Sequence, residues 1–320
     1  MSILWTGAED IDFPNGAWPV ELSTSSGHLR TGYARCTVGG VGTLVKSSTF
    51  APVTSCWLSA QLFPNWAWNT APCFGLGKSG TNSALMAGIG GAGKVGLLKR
   101  DAGSNTVLAE STISPSLAIH RIDMQVISYG ASATVNVWWD GVLALTFTGN
   151  VAAAGVSNLD QVWINGDFSH YQTEASEIIV ADEDTRAFGV VTLAPNANGT
   201  TQQWTGALAD INEITLSDAT LNFTNTASQD QQYNLIDLPS GNFIVKEVMV
   251  SARANTPAGS TATKVSLGVK SGATINAGAL QTAAVAFATF YQAIGVNDPA
   301  TGAAWTNAGI NALQMNLRSG

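Results

Sequence analysis

Apolar and polar residues alternate along much of this chain with a period of two. HRIDMQVISYG (residues 120–130) sets Ile122, Met124 and Val126 against Arg121, Asp123 and Gln125, the pattern of a strand with one buried face. CWLSAQLF (56–63) alternates in the same way, and LDQVWING and SEIIVAD supply two further strands. One short helical turn is expected after Thr306, within a final segment that turns at 299–302 and ends in a strand.

The segment ATVNVWWDGVLALTFTG (133–149) predicts a hairpin, because Asp140-Gly141 tolerates the positive φ that both centres of a type I′ turn require. Direct pairing then sets Trp139 opposite Val142, Val137 opposite Ala144 and Val135 opposite Thr146 on one side. Trp138 with Leu143, Asn136 with Leu145 and Thr134 with Phe147 share the other. Both faces carry large apolar groups, and the face of Trp138, Leu143, Leu145 and Phe147 is the bulkier. It is expected inward. Trp139, with Val137 and Val142, is then expected to meet a ligand, a second domain or another subunit.

Glycines and asparagines punctuate the rest. Asn15-Gly16 and Asn198-Gly199 read as turn or loop sites, and Phe243 to Ala254 with Thr261 to Ser271 read as a hairpin closed by NTPAGS. ALMAGIGGAGKVGLLKRD (84–101) fits neither GxGxxG ahead of a helix nor GxxxxGK followed by Ser or Thr, so it is read as two strands joined by a glycine turn. Patterning lapses at the charged ADEDTRAFG (181–189). The expected division is a first domain over 1–183, a linker over 184–190 and a smaller second β-sandwich over 191–320.

Composition supports an all-β chain. Charged residues are 11% against a usual value of about 25%, and glycine is abundant at 33 residues, so helix formers are scarce. A net charge of −8 with only 14 Lys and Arg, none in a basic run, argues against nucleic acid as a partner. No run of about 18 apolar residues exists to insert in a membrane, and MSILWTGAED lacks the regions of a signal peptide. Synthesis and folding in the cytosol are therefore expected. Cys36, Cys56 and Cys73 match neither a disulfide framework nor a zinc pattern, and are expected as buried thiols.

The order HRIDMQVI, TVNVWWDG, LALTFTG, SEIIVAD resembles the concanavalin A-like (LamG-like) jelly-roll family, in which a strand, an Asp-Gly hairpin and a closing strand follow one another. ASEIIVADEDT, TLAPNANGTTQQWTG, YNLIDLPSG, VMVSARA and DPATGAAWTNAGINALQ resemble, in the same order, structural proteins of tailed bacteriophages in which a lectin-like half precedes a second β-domain. This resemblance implies a virion protein, on the tail or the head surface, whose partners are other virion proteins and copies of itself.

Chemistry is sparse. The ExDxxE strand of glycan-cleaving jelly rolls is absent, and Glu174 and Glu177 stand three apart, which turns them to opposite faces of a regular strand. Asp182, Glu183 and Asp184 read as a solvated charge run. His28, His120 and His170 share no metal spacing, and a Ser-His-Asp set cannot be read without geometry. Asn165-Gly166-Asp167 falls short of the six or more oxygens calcium takes. No enzyme, metal or cofactor is expected. Glycan binding needs only an aromatic platform with amides and carboxylates around it. Trp66 and Trp68 with Asn65 and Asn69 are the first candidate, and Trp163 with Asn165 and Asp167 the second. The expected function is a non-enzymatic, symmetric structural component of the virion; the alternative is a host-glycan-binding module, and the third is a glycan hydrolase.

Overall fold

A computed structural model describes residues 3–7, 44–64, 71–116, 118–165, 173–212 and 218–320. Asn15-Gly16, Cys36, Trp66, Trp68, Asn69 and Asp167 lie outside them. The protein is all-β, in two compact units, Met1–Val191 and Thr192–Gly320.

The first unit is a jelly-roll sandwich of two six-stranded sheets, antiparallel throughout. The front sheet runs β1 (Ile3–Gly7), β12 (Thr173–Ala181), β3 (Cys56–Pro64), β8 (His120–Val126), β9 (Ala133–Trp139), β10 (Val142–Gly149). The back sheet runs β2 (Leu44–Lys46), β11 (Gln161–Asn165), β4 (Ala71–Gly77), β5 (Ala84–Ile89), β6 (Val95–Asp101), β7 (Ser104–Glu110). The chain crosses between sheets again and again, so sequence neighbours such as β11 and β12 lie in opposite layers.

Alternation decides what enters the core between the sheets. From the front come Cys56, Leu58, Ala60 and Leu62 of β3 and Ile122, Met124 and Val126 of β8; from the back come Phe74, Leu76, Leu85, Ile89, Leu97, Val162 and Ile164. Burial pushes the Cys56 thiol up to about 12, and Cys73 is also buried. The glycine-rich segment forms two paired strands, β5 and β6, as expected.

The opening hairpin has its Asp-Gly turn, with φ of 50° at Asp140 and 78° at Gly141. Of the face expected inward, Leu145 and Phe147 do turn to the core, but Trp138 and Leu143 face out and Trp139 and Val137 are buried. Val142 pairs with Trp139 and Leu143 with Trp138, but the next pair is Leu145 with Val137, because Ala144 is an extra residue in β10. This bulge shifts the parity of β10 by one, which brings Leu145 and Phe147 to the side of Val137 and Val135. Trp139, Val137 and Val135 are therefore in the core, and Trp138 faces out. Of the three residues expected at an interface, only Val142 is exposed, at the turn.

One buried carboxylate ties the entry of β11 to the exit of its neighbour β4 in the back sheet. Asp160 accepts from Lys78 Nζ at 2.5 Å, Ser79 N at 2.7 Å and Ser79 Oγ at 2.8 Å. Burial acts to raise its pKa, but the bonds from Lys78 and Ser79 outweigh burial and hold the carboxyl below the usual carboxylate range. A depressed folded value means stabilisation that is present above the ordinary aspartate range and is lost as pH falls through the folded value. Asp160→Asn should therefore lower stability at pH 7, and the gap from wild type should narrow toward pH 3. Urea titrations at the two pH values read this directly.

The second unit is also a sandwich. Its larger sheet runs β13 (Pro195–Gln202), β14 (Asp230–Leu235), β20 (Gln314–Ser319), β16 (Lys264–Ser271), β17 (Thr274–Ala277), with β18 (Gln281–Thr282) also paired to β16. The smaller sheet pairs β15 (Val248–Ala254) with β19 (Ala288–Gly295). Leu267 and Val269 of β16 meet Val250, Phe290 and Trp305 in the core. Two expectations fail here. β15 and β16 are in different sheets rather than one hairpin, and Asn198-Gly199 lies inside β13 rather than in a loop. The helical turn expected after Thr306 is α1 (Asn307–Asn311), capped by Thr306 Oγ1 accepting from Gly309 N at 3.0 Å.

Candidate functional site

The outer face of the front sheet carries the side chains that alternation turns away from the core. On β3 these are Trp57, Ser59 and Gln61; on β8, Arg121, Asp123 and Gln125; on β9, Asn136 and Trp138. Trp57 pairs with Gln125, and Gln125 with Asn136. The two indoles lean together across β8, with centroids 5.1 Å apart and planes 23° apart. Beside them runs a row of amides, in which Asn136 Nδ2 donates to Gln125 Oε1 at 2.9 Å and Thr146 Oγ1 donates to Asn136 Oδ1 at 2.8 Å.

Residues 184–188 are tied to this face. Arg121 donates to Phe188 O at 2.6 Å and Thr185 O at 2.7 Å, while the fully buried Thr185 hydroxyl bonds to that of Ser59. The segment read as a linker is thus anchored on the first unit. It delivers Arg186, whose guanidinium lies 4.6 Å from the Trp138 centroid and 5.3 Å from that of Trp57. Asp184 grips this guanidinium with two oxygens, at 2.9 Å to Nε and 2.6 Å to Nη2. That grip holds the Asp184 carboxyl below its usual range, and Asp184 in turn raises Arg186. Both side chains are nearly half exposed, at 45% and 41%, so the pair opens at little cost.

Beneath them Asp123 is buried. Its Oδ1 accepts from Ser59 Oγ at 2.5 Å and from Arg121 Nε at 3.0 Å, and its Oδ2 has no hydrogen-bond partner among the described residues. The arrangement offers flat aromatic surface, an amide row able to donate and accept, and a guanidinium, which together suit a polyhydroxylated ligand.

The sequence candidates fare differently. Trp66, Trp68, Asn69 and Asp167 are outside the described residues, and Asn165 is placed only as the last residue of β11. Trp163 is fully buried and so offers no platform. Lys46 Nζ sits 4.1 Å from its ring centroid, and burial, then the charge of Arg100, lowers the Lys46 ammonium below its ordinary value. Gly77 makes room for this indole, since a Cβ there would come within 2.0 Å of it. Glu177 is buried in a bulge of β12 at φ 49°, which removes the regular parity assumed for Glu174 and Glu177. Trp57 follows from the alternation of β3 as an outward position, whereas Trp138 was expected inward and faces out. Their meeting depends on β3 and β9 flanking β8, and no local pattern records that.

No protein-family model matches this chain, and no curated protein matches it. Among solved structures it is similar to a carbohydrate-binding module from Bacillus subtilis, at 12% identity and a TM-score of 0.35 over 46% of this chain and 85% of that one. It is also similar to a heptameric SAP-like pentraxin from Limulus polyphemus, at 17% and 0.34 over 45% and 75%. A third is an endo-beta-1,4-glucuronan lyase from the fungus Trichoderma reesei, at 11% and 0.38 over 57% and 96%. Scores at this level say nothing of chemistry.

Proposed function

We propose that the first unit binds glycans on the outer face of its front sheet without cleaving the glycosidic bond. The observation that carries this is the pair of near-parallel indoles, Trp57 and Trp138, beside the Gln125, Asn136 and Thr146 row. A sugar ring stacks its apolar face on an indole while its hydroxyls exchange hydrogen bonds with the amides. Arg186 swings aside or bonds the ligand, since its pair with Asp184 is exposed.

The test is a glycan array followed by titration of any hit. Trp138→Ala should weaken binding by about 30-fold, the usual cost of about 2 kcal/mol for an aromatic anchor, with the denaturation midpoint nearly unchanged. If Trp138→Ala binds as wild type while Trp66→Ala with Trp68→Ala does not, the platform is the other pair and this face is excluded.

A second reading places the protein on a tailed-phage particle as a symmetric structural component that displays this unit to the host surface. The ordered phrases from ASEIIVADEDT to DPATGAAWTNAGINALQ support it. Mass spectrometry of purified particles decides it, because absence of the chain from intact virions ends the reading.

A further inference from the structure

At one end of the front sheet three side chains form a relay. His120, the first residue of β8, is buried with its ring 4.6 Å from that of Trp139. Its Nδ1 lies 2.7 Å from Asp140 Oδ2, and its Nε2 lies 3.1 Å from the hydroxyl of the exposed Ser116. The other oxygen of Asp140 accepts from Arg121 N at 2.8 Å, which fixes the carboxylate. Asp140 is itself held rigidly, because it is a centre of the hairpin turn at φ 50°.

A carboxylate at Nδ1 favours the tautomer in which Nδ1–H donates to it, so Nε2 of the neutral ring carries the lone pair and accepts from Ser116 Oγ. The carbonyl of Ser116 also lies 3.1 Å from Nε2. Once Nε2 holds the serine proton it can donate to that carbonyl, which stabilises the imidazolium. Ser-His-Asp sets are recognised by such roles rather than by order in the chain.

We propose that Ser116 is a nucleophile for carboxylic esters of small acyl groups, with His120 as general base and Asp140 as the residue that positions it. Ser116 Oγ bonds to the carbonyl carbon as its proton passes to His120 Nε2. The bond from that carbon to the alkoxy oxygen then breaks, and the leaving oxygen takes the proton from Nε2. Water adds to the acyl-serine, gives a proton to Nε2, and expels Ser116 Oγ, which recovers that proton. One water is consumed, and an acid and an alcohol are released with no oxidation or reduction. The exposed hydroxyl suits an acyl group carried on a larger molecule, and the proposal is independent of glycan binding on the sheet face.

The full chain is treated with a fluorophosphonate and digested, and labelled peptides are identified by mass spectrometry; hydrolysis of p-nitrophenyl acetate is followed in parallel. Label on Ser116 above other serines is expected, with both label and ester turnover lost in Ser116→Ala. Asp140→Asn is the second variant, because Asn accepts positive φ and can still accept from Arg121 N while its amide donates to Nδ1 and imposes the other tautomer. It should keep the wild-type denaturation midpoint and label about a hundredfold more slowly. Three polar groups that merely clip the approach to β8 onto the turn predict no selective label. Absence of label on Ser116, or an unchanged labelling rate in folded Asp140→Asn, overturns the proposal.

Discussion

Trp139→Ala should destabilise the first unit by about 3–5 kcal/mol, while the neighbouring Trp138→Ala should cost about 1 kcal/mol or less. Trp139 is 5% exposed and packs with Val135, Val137 and Leu145 in the core, so its removal leaves a cavity that the sandwich cannot close. Trp138 is half-buried on the outer face, where water and the side chains of Arg186 and Gln125 can fill the space. Urea titration of the two variants at equal slope separates them. A larger loss for Trp138→Ala than for Trp139→Ala would mean that the hairpin is in the other register, without its bulge. Deleting Ala144 should remove the bulge while keeping Leu145 opposite Val137 and Phe147 opposite Val135, and so should cost far less than Trp139→Ala.

Arg121→Met should cost a similar amount, about 3–5 kcal/mol, because it strands a buried carboxylate. Asp123 is 1% exposed, and Arg121 is its only cation at salt-bridge distance among the described residues. The same substitution frees Thr185 O and Phe188 O, so residues 184–188 should become open to limited proteolysis. Adding Asp123→Asn to Arg121→Met should recover much of the stability, because the unpaired charge goes with it, but should not restore protection of 184–188. A double variant as unstable as Arg121→Met would show that the loss lies in the backbone contacts rather than in the stranded charge.

Much of this architecture is legible in the chain itself. Period-two alternation in HRIDMQVI and CWLSAQLF, the Asp140-Gly141 turn and the scarcity of charge together determine an all-β protein, because each acts through local geometry or simple composition. They also determine that β8, β9 and β10 are successive strands, and that Thr306 caps a short helix. The parity of the hairpin was not so determined. Both strands carry their apolar groups at odd positions, which a two-residue turn cannot place on one face, and only a one-residue bulge reconciles them. That conflict was the local sign of the bulge.

Everything that makes a site was decided by tertiary structure. Trp57 and Trp138 are 81 residues apart in sequence and meet only because β3 and β9 flank β8. Trp163 resembled an exposed platform in its polar surroundings, yet the fold buries it over Gly77. His120 had no local partner at metal spacing, but the hairpin turn returns Asp140 to its Nδ1 while the approach to β8 brings Ser116 to its Nε2. The sequence by itself determined the strands, since side-chain alternation and turn chemistry are properties of neighbouring residues. Only the tertiary structure decided which faces and ends of those strands meet, because hydrogen-bonded sheets join residues whose separation along the chain leaves no periodic trace.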